Sequence, residues 1–365
     1  MVTVLKNKAL QKSNSFISIF IFLIVSILIG CSSSKDIYYE LPLEFRQPQK
    51  KIEFIENYRH YLKGIKIFID PGHGGNDRKN VGFEGNVVEA DINLNVALVL
   101  AEYLREANAD VYLSRDKDTT ITLEDRSKMA DSVNADIFIS IHHNAPGAAD
   151  DIWTNYTSTY YHSKPGNYNF NPINNDLAKY IQRDLAYAMR NSGGPYSFDG
   201  TYSDYIIYPS DGFYVLRNSK IPAVLIESGF TTHHNESQRL IDPLFNRIEA
   251  WGIFRGLCRF LKAGFPKIDL VTESDTINVN INELNFSITD STSIISNSVT
   301  VKIDSVLFND YSFNEKNNLL IIDISNLKKG EHIIKIIAAN INGIHSFPFE
   351  KEIFVINNKT IKGIK

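Results

Sequence analysis

From about residue 64 to 264, apolar residues recur in two rhythms that take turns along the chain. Alternate positions carry them in Ile65-Ile67-Ile69, Val111-Leu113, Ile137-Ile139-Ile141 and Val224-Ile226, the period of a strand with one face turned inward. Helical spacing fills the segments between. Ile92, Val96, Val99, Leu100 and Tyr103 fall on one stripe after Glu89, and Leu177, Tyr180, Ile181, Leu185 and Ala188 repeat it. Ile253, Leu257, Phe260 and Leu261 make a third stripe. Strands alternating with helices of this length predict an α/β domain over residues 64–264, a mostly parallel sheet flanked by helices.

After Gly264-Phe265-Pro266 the helical windows cease. Short β-rich runs at 276–281, 299–303, 319–324, 332–337 and 353–356, divided by Asn, Asp, Ser and Gly turns, predict a small all-β domain over 267–357, an Ig-like sandwich. Its titratable residues form no cluster in the sequence, so no chemistry is expected of it. Residues 358–365 read as a frayed basic tail.

The N-terminus follows neither rhythm. Lys6, Lys8 and Lys12 precede an apolar run from Phe16 to Ile29, the layout of a secretory signal over residues 1–30. The run ends in Leu28-Ile29-Gly30-Cys31, which resembles the lipobox of a bacterial lipoprotein. That resemblance implies cleavage, a lipid on Cys31, and a chain held to a membrane of the cell envelope, by expectation the outer membrane, outside the cytoplasm. Residues 31–63, with Pro42, Pro48 and a pair of lysines, read as a tether from the anchor. Cys258 then has no partner for a disulfide and is expected to be a buried apolar residue.

Length and charge narrow the choice of partner. A chain of 365 residues is long enough for about two folded units. Lys plus Arg total 38 and Asp plus Glu total 42, a net charge of -4, and no basic block is long enough to track phosphates. Nucleic acid is therefore not an expected partner.

Candidate chemistry gathers at the strand ends, where ligands collect in open α/β sheets. The first strand runs into Asp70-Pro71-Gly72-His73-Gly74-Gly75, another ends in Ser140-Ile141-His142-His143-Asn144, and a third ends in Glu227-Ser228-Gly229-Phe230. Two imidazoles and a carboxylate match a catalytic zinc site with an open position. His142 is the better ligand than His143, because neighbours on a strand point to opposite faces. Each residue also has a plainer reading. A histidine after a strand can be a hydrogen-bonded structural residue, Glu89 can stabilise a helix N-terminus, and Glu227 can be a carboxylate at the core edge. The glycine loop could cradle a phosphate, though it lacks the Gly-Lys-Ser/Thr ending of a P-loop.

Taken in order, DPGHGG, Glu89 opening a helix, SRDKD with LEDRSKMAD, the SIHHNA strand end, and PAVLIESGF followed by Glu236 closely resemble the zinc-dependent N-acetylmuramoyl-L-alanine amidases of the amidase 3 family, over about residues 64–264. The resemblance implies a zinc (Zn2+) site at His73, Glu89 and His142, with Glu227 as the catalytic glutamate. It implies a peptidoglycan hydrolase that cleaves the amide between N-acetylmuramic acid and L-alanine of the stem peptide, in cell-wall remodelling or daughter-cell separation. His143 stands where the family usually has a small residue, and is expected to line the site without binding metal. His233 stands where the family often has Asn, and its role is open. Residues 146–210 are longer and richer in Tyr, Asn and Gly than in compact members, and read as a substrate-groove loop or gate with His162 as a candidate extra ligand. Two other readings remain: a zinc amidohydrolase acting on a different cell-wall bond, and an inactive amidase fold that binds peptidoglycan. A protein activator is left open.

Overall fold

Six strands form the sheet that carries the candidate site: β1 (Lys66–Pro71), β2 (Asp110–Leu113), β3 (Ile137–Asn144), β4 (Thr157–Tyr161), β5 (Thr201–Ser203) and β6 (Ala223–Phe230), in the order β2-β1-β3-β6-β4-β5. The structure is a computed structural model and describes residues 39–78, 80–82, 85–147, 151–164, 171–194, 199–271, 283–357 and 360–364. The expected signal and lipobox, Cys31 included, and the β-rich run 276–281 lie outside the described residues. Among the described residues no helix is long and apolar enough to cross a membrane.

The sheet is mostly parallel, as expected, and is made mixed by one antiparallel pairing. Strands β2, β1, β3 and β6 run parallel, but β4 pairs antiparallel with β6 and carries β5 alongside it. Residues 146–210, expected as a groove loop or gate, supply both of these outer strands and a long helix. In the strands, Thr157, Thr159, Tyr160, Thr201 and Tyr202 are buried. A polar-looking stretch thus extends the core.

The helices are α1 (Leu43–Arg46), α2 (Pro48–Leu62), α3 (Glu89–Glu106), α4 (Leu123–Ser132), α5 (Pro172–Met189), α6 (Tyr214–Arg217), α7 (His234–Leu240) and α8 (Pro243–Ala263). Helix α8 packs against both α3 and α5. Phe68, Phe138 and Leu225 of the sheet form a second core with Ala130 of α4 and Val215 and Leu216 of α6. With both faces covered, β1 and β3 are buried almost throughout. Cys258 sits within α8 as a buried free thiol.

The expected tether is also corrected. Residues 43–62 fold into α1 and α2 and pack on the domain, with Ile55 and Leu62 fully buried. Phe54, Ile55, Tyr58 and Leu62 make one stripe at i, i+1, i+4 and i+8. Phe54 meets the Trp251 ring edge-on at 5.4 Å, and Glu44 pairs with Arg255 of α8 in a buried contact. Pro48 does not break this helix because it opens it, where its missing N–H costs nothing.

Beyond α8 the chain is all β. One antiparallel sheet holds β10 (Val306–Phe308), β9 (Thr300–Ile303), β13 (Gly330–Ile337), β14 (Phe349–Asn357) and β15 (Thr360–Ile364). The other holds β11 (Tyr311–Asn314), β12 (Leu319–Asp323), β8 (Glu283–Thr289) and β7 (Lys267–Leu270). The two sheets share a single core built from Leu284, Phe286, Val301, Leu320, Ile334 and Ile353. Residues 360–364, expected to fray, pair with β14 instead; Thr360, Ile361 and Ile364 are β-branched and suit an added strand. Asn340 and Asn342 of this region cap the end of α8 by donating to the Ala263 carbonyl, and His345 pairs with Asp176 of α5.

Candidate active site

Parallel pairing sets the site. In the β3–β6 register His142 lies opposite Glu227, so both side chains leave the sheet on the same side. In the β1–β3 register Pro71 lies opposite Ile141, and the next N–H, of Gly72, donates to the Ile141 carbonyl at 3.0 Å. This pairing draws the glycine turn against the end of β3. A Cβ on Gly72 would fall 2.1 Å from the His142 ring, so the imidazole takes the space that any other residue would fill. His73 follows with φ 59, a left-handed conformation rare for a residue with a side chain. Reciprocal backbone bonds between Gly74 and Asp77 hold the turn in that shape.

His73, Glu89 and His142 each present a ligand atom, and these atoms all lie within 4.8 Å of one another. Glu89 is the first residue of α3, so its carboxylate is fixed at a helix start. His73 Nε2 is 3.2 Å from Glu89 Oε2, and His142 Nδ1 is 3.0 Å from Oε1. The carboxylate is held further by the Asn80 amide at 2.7 Å and by the backbone N–H of His143 at 3.0 Å. On its far side, His73 Nδ1 meets Asp77 Oδ2 at 2.8 Å, the carboxylate–imidazole arrangement that orients metal-binding histidines. Two imidazoles and one nearly buried carboxylate suit zinc and leave a fourth position open.

Electrostatics separate the two glutamates. Burial alone would push the Glu89 carboxyl up, but hydrogen bonds and charge from His142 and His73 outweigh it and hold Glu89 well below the usual range. His73 responds in the opposite sense: burial opposes its protonation, yet Glu89 and Asp77 lift its pKa to about 9. Glu227 is raised well above the usual range, first by burial and then by the neighbouring Glu89 charge. Its Oε2 has no hydrogen-bond partner among the described residues. One glutamate is thus stabilised as an anion, and the other is left able to exchange a proton.

The remaining sequence candidates sort by position. His143 does not line the site. It is 1% exposed, on the opposite side of β3 from His142, between Asn93 and Glu249. Asp70 is equally buried and pairs with Arg126 at 2.5 Å, bonded also by Ser114 and Ser140. His162 lies against Asp204 at 2.8 Å and is outside the metal-ligating group. His233 is the N-cap of α7, accepting from the Glu236 N–H at 3.2 Å. Glu236 itself is buried, bonded by Asn155 and Arg239.

Sequence reading gave no role to the two arginines that secure the glycine turn. Arg115 donates to the carbonyls of Pro71, Gly72 and Ala90, and Arg126 to those of Pro71 and His73. The available signal was position: Ser114-Arg115 directly follows a strand, and Arg126 lies at helical spacing behind Thr122, which caps α4.

The N-acetylmuramoyl-L-alanine amidase family model matches residues 67–259. The germination-specific N-acetylmuramoyl-L-alanine amidase of Bacillus subtilis is 32% identical over 220 residues, covering 56% of this chain and 84% of its own length. The N-acetylmuramoyl-L-alanine amidase CwlM of Bacillus licheniformis is 32% identical over 205 residues, covering 53% of this chain and 68% of its own length. Among solved structures, an N-acetylmuramoyl-L-alanine amidase from Clostridium difficile 630 is 32% identical, with a TM-score of 0.47 over 55% of this chain and 98% of that one.

Proposed function

Because this chain belongs to the N-acetylmuramoyl-L-alanine amidase family, we propose that it hydrolyses the amide joining the lactyl group of N-acetylmuramic acid to L-alanine of the stem peptide, with zinc as its cofactor. The observation that carries the reading is the convergence of His73, Glu89 and His142 within 4.8 Å, with Glu227 on the neighbouring strand opposite His142. Zinc bound there supplies Lewis acidity at the scissile carbonyl and an acidified water near neutral pH.

The chain's own residues do the rest. Asp77 accepts a hydrogen bond from His73 Nδ1 and so would leave Nε2, beside Glu89 Oε2, as the nitrogen that ligates zinc. Asn80 and the His143 N–H fix the Glu89 carboxylate. Glu227 accepts the proton of the attacking water and returns it to the departing alanine amine, the work of a general base that becomes a general acid. Its raised pKa suits that exchange.

Metal content of the purified protein, read together with mass spectrometry of digested sacculi, tests the proposal. About one zinc per chain is expected, with stem peptides bearing a free alanine amine and glycan retaining intact muramic acid. Cleavage at a peptide crosslink or loss of an N-acetyl group would assign the site to a different bond. A metal-loaded chain that binds sacculi and releases nothing would favour the inactive-fold reading.

We further propose that Cys31 carries a lipid that holds the enzyme in the cell envelope for cell-wall remodelling or daughter-cell separation, a reading supported by the Leu-Ile-Gly-Cys sequence alone. Cys31→Ala is expected to shift the protein from the membrane to the soluble fraction. Unchanged fractionation would remove the anchor from the account.

A further inference from the structure

A fully buried polar chain reaches Glu89 from helix α8, and nothing in the proposed reaction uses it. The Asn93 amide nitrogen donates to the Gly72 carbonyl at 3.2 Å and to Glu89 Oε1 at 3.3 Å. Both are acceptors, so the amide can face only one way. Its oxygen then points to His143 Nδ1, 2.7 Å away, and that nitrogen must carry the hydrogen. The other ring nitrogen, Nε2, lies 3.1 Å from Glu249 Oε2. The second Glu249 oxygen has no partner among the described residues, and among them His143 orients this carboxyl group.

His143, Glu249 and Asn93 are each at most 1% exposed. Burying an imidazole–carboxylate pair rarely stabilises a fold more than apolar residues of the same volume would. Orientation is what the pair can supply. Glu249 fixes the imidazole, the imidazole fixes the Asn93 amide, and the amide joins the His143 backbone N–H on the same Glu89 oxygen.

We propose that Glu249, His143 and Asn93 form a positioning relay that holds the Glu89 carboxylate in the orientation needed to ligate zinc. The relay touches neither substrate nor metal. It acts through Glu89, and it rests on the zinc reading of the site.

The experiment measures zinc affinity of the metal-free protein by competition with a chelator, alongside thermal unfolding of the same samples. His143→Ala is expected to weaken zinc binding by about 10–100-fold, the range for outer-shell partners of metal ligands. Because His143→Ala leaves the buried Glu249 carboxyl without its hydrogen-bond partner, the double substitution His143→Ala/Glu249→Ala is measured too, and the same weakening is expected. A purely structural role would lower the unfolding temperature and leave zinc affinity per folded chain unchanged. Affinity within about twofold of the parent in either folded variant overturns the relay. Failure of both variants to fold overturns it as well, by assigning the chain to stability. A parent protein that binds no zinc overturns the site reading and the relay together, whereas equal affinity in a zinc-binding parent overturns the relay alone.

Discussion

Glu227→Gln is expected to keep its metal and lose hydrolysis, with kcat for stem-peptide release falling by about 10²–10⁴-fold, the range for a positioned general acid–base group. Glutamine has the same shape but cannot take a proton from water. Zinc content should stay at the parent value, because Glu227 is not among the residues whose ligand atoms converge. Stability should move the other way. The folded protein raises the Glu227 carboxyl first by burial and then through the Glu89 charge. A group raised in the fold contributes fully below its unfolded pKa, and that contribution is lost as pH rises toward the folded value. Metal-free Glu227→Gln should therefore match its parent near about pH 4, close to the unfolded glutamate pKa, and unfold at a higher temperature than the parent at neutral pH. Full activity in this variant would remove Glu227 from the chemistry.

The same glutamate shows what the sequence could and could not convey. Glu227 and His142 end alternating apolar runs, so their position at a sheet edge was legible, and the order of motifs added His73 and Glu89. Packing partners far along the chain were not. The stripe of Phe54, Ile55, Tyr58 and Leu62 needs Trp251 and Phe254 to become a buried face, and two prolines and a lysine pair hide it in the sequence. Strand β4 carries no period-2 apolar pattern, since Thr157, Ser158 and Thr159 are buried as polar residues in a strand paired on both sides, with β6 and β5. For His143 the alternation rule put the side chain on the face away from His142, but nothing local pointed to Glu249, which is 106 residues away and buried on α8.

Asp70 is the residue whose meaning changed most, and it leads to the second large effect. It stands in the DPGHGG turn and reads as part of the site, yet it is a buried anion facing Arg126. Arg126→Leu is expected to destabilise the protein by about 3–5 kcal/mol, because removing one partner leaves the other as an uncompensated buried charge. Among the described residues, only the hydroxyls of Ser114 and Ser140 would still bond the Asp70 carboxylate. Urea denaturation of the metal-free protein reads that loss. Adding Asp70→Asn should restore much of it by removing the stranded charge. It should not restore the His73 carbonyl's bond to Arg126, so zinc affinity in the double variant should stay below that of the parent while stability recovers. If Arg126→Leu costs less than about 1 kcal/mol, as an exposed pair would, then water or a neighbour replaces the arginine and the turn does not depend on it. If stability and zinc affinity recover together, Arg126 serves the fold and the glycine turn needs no second clamp to present His73.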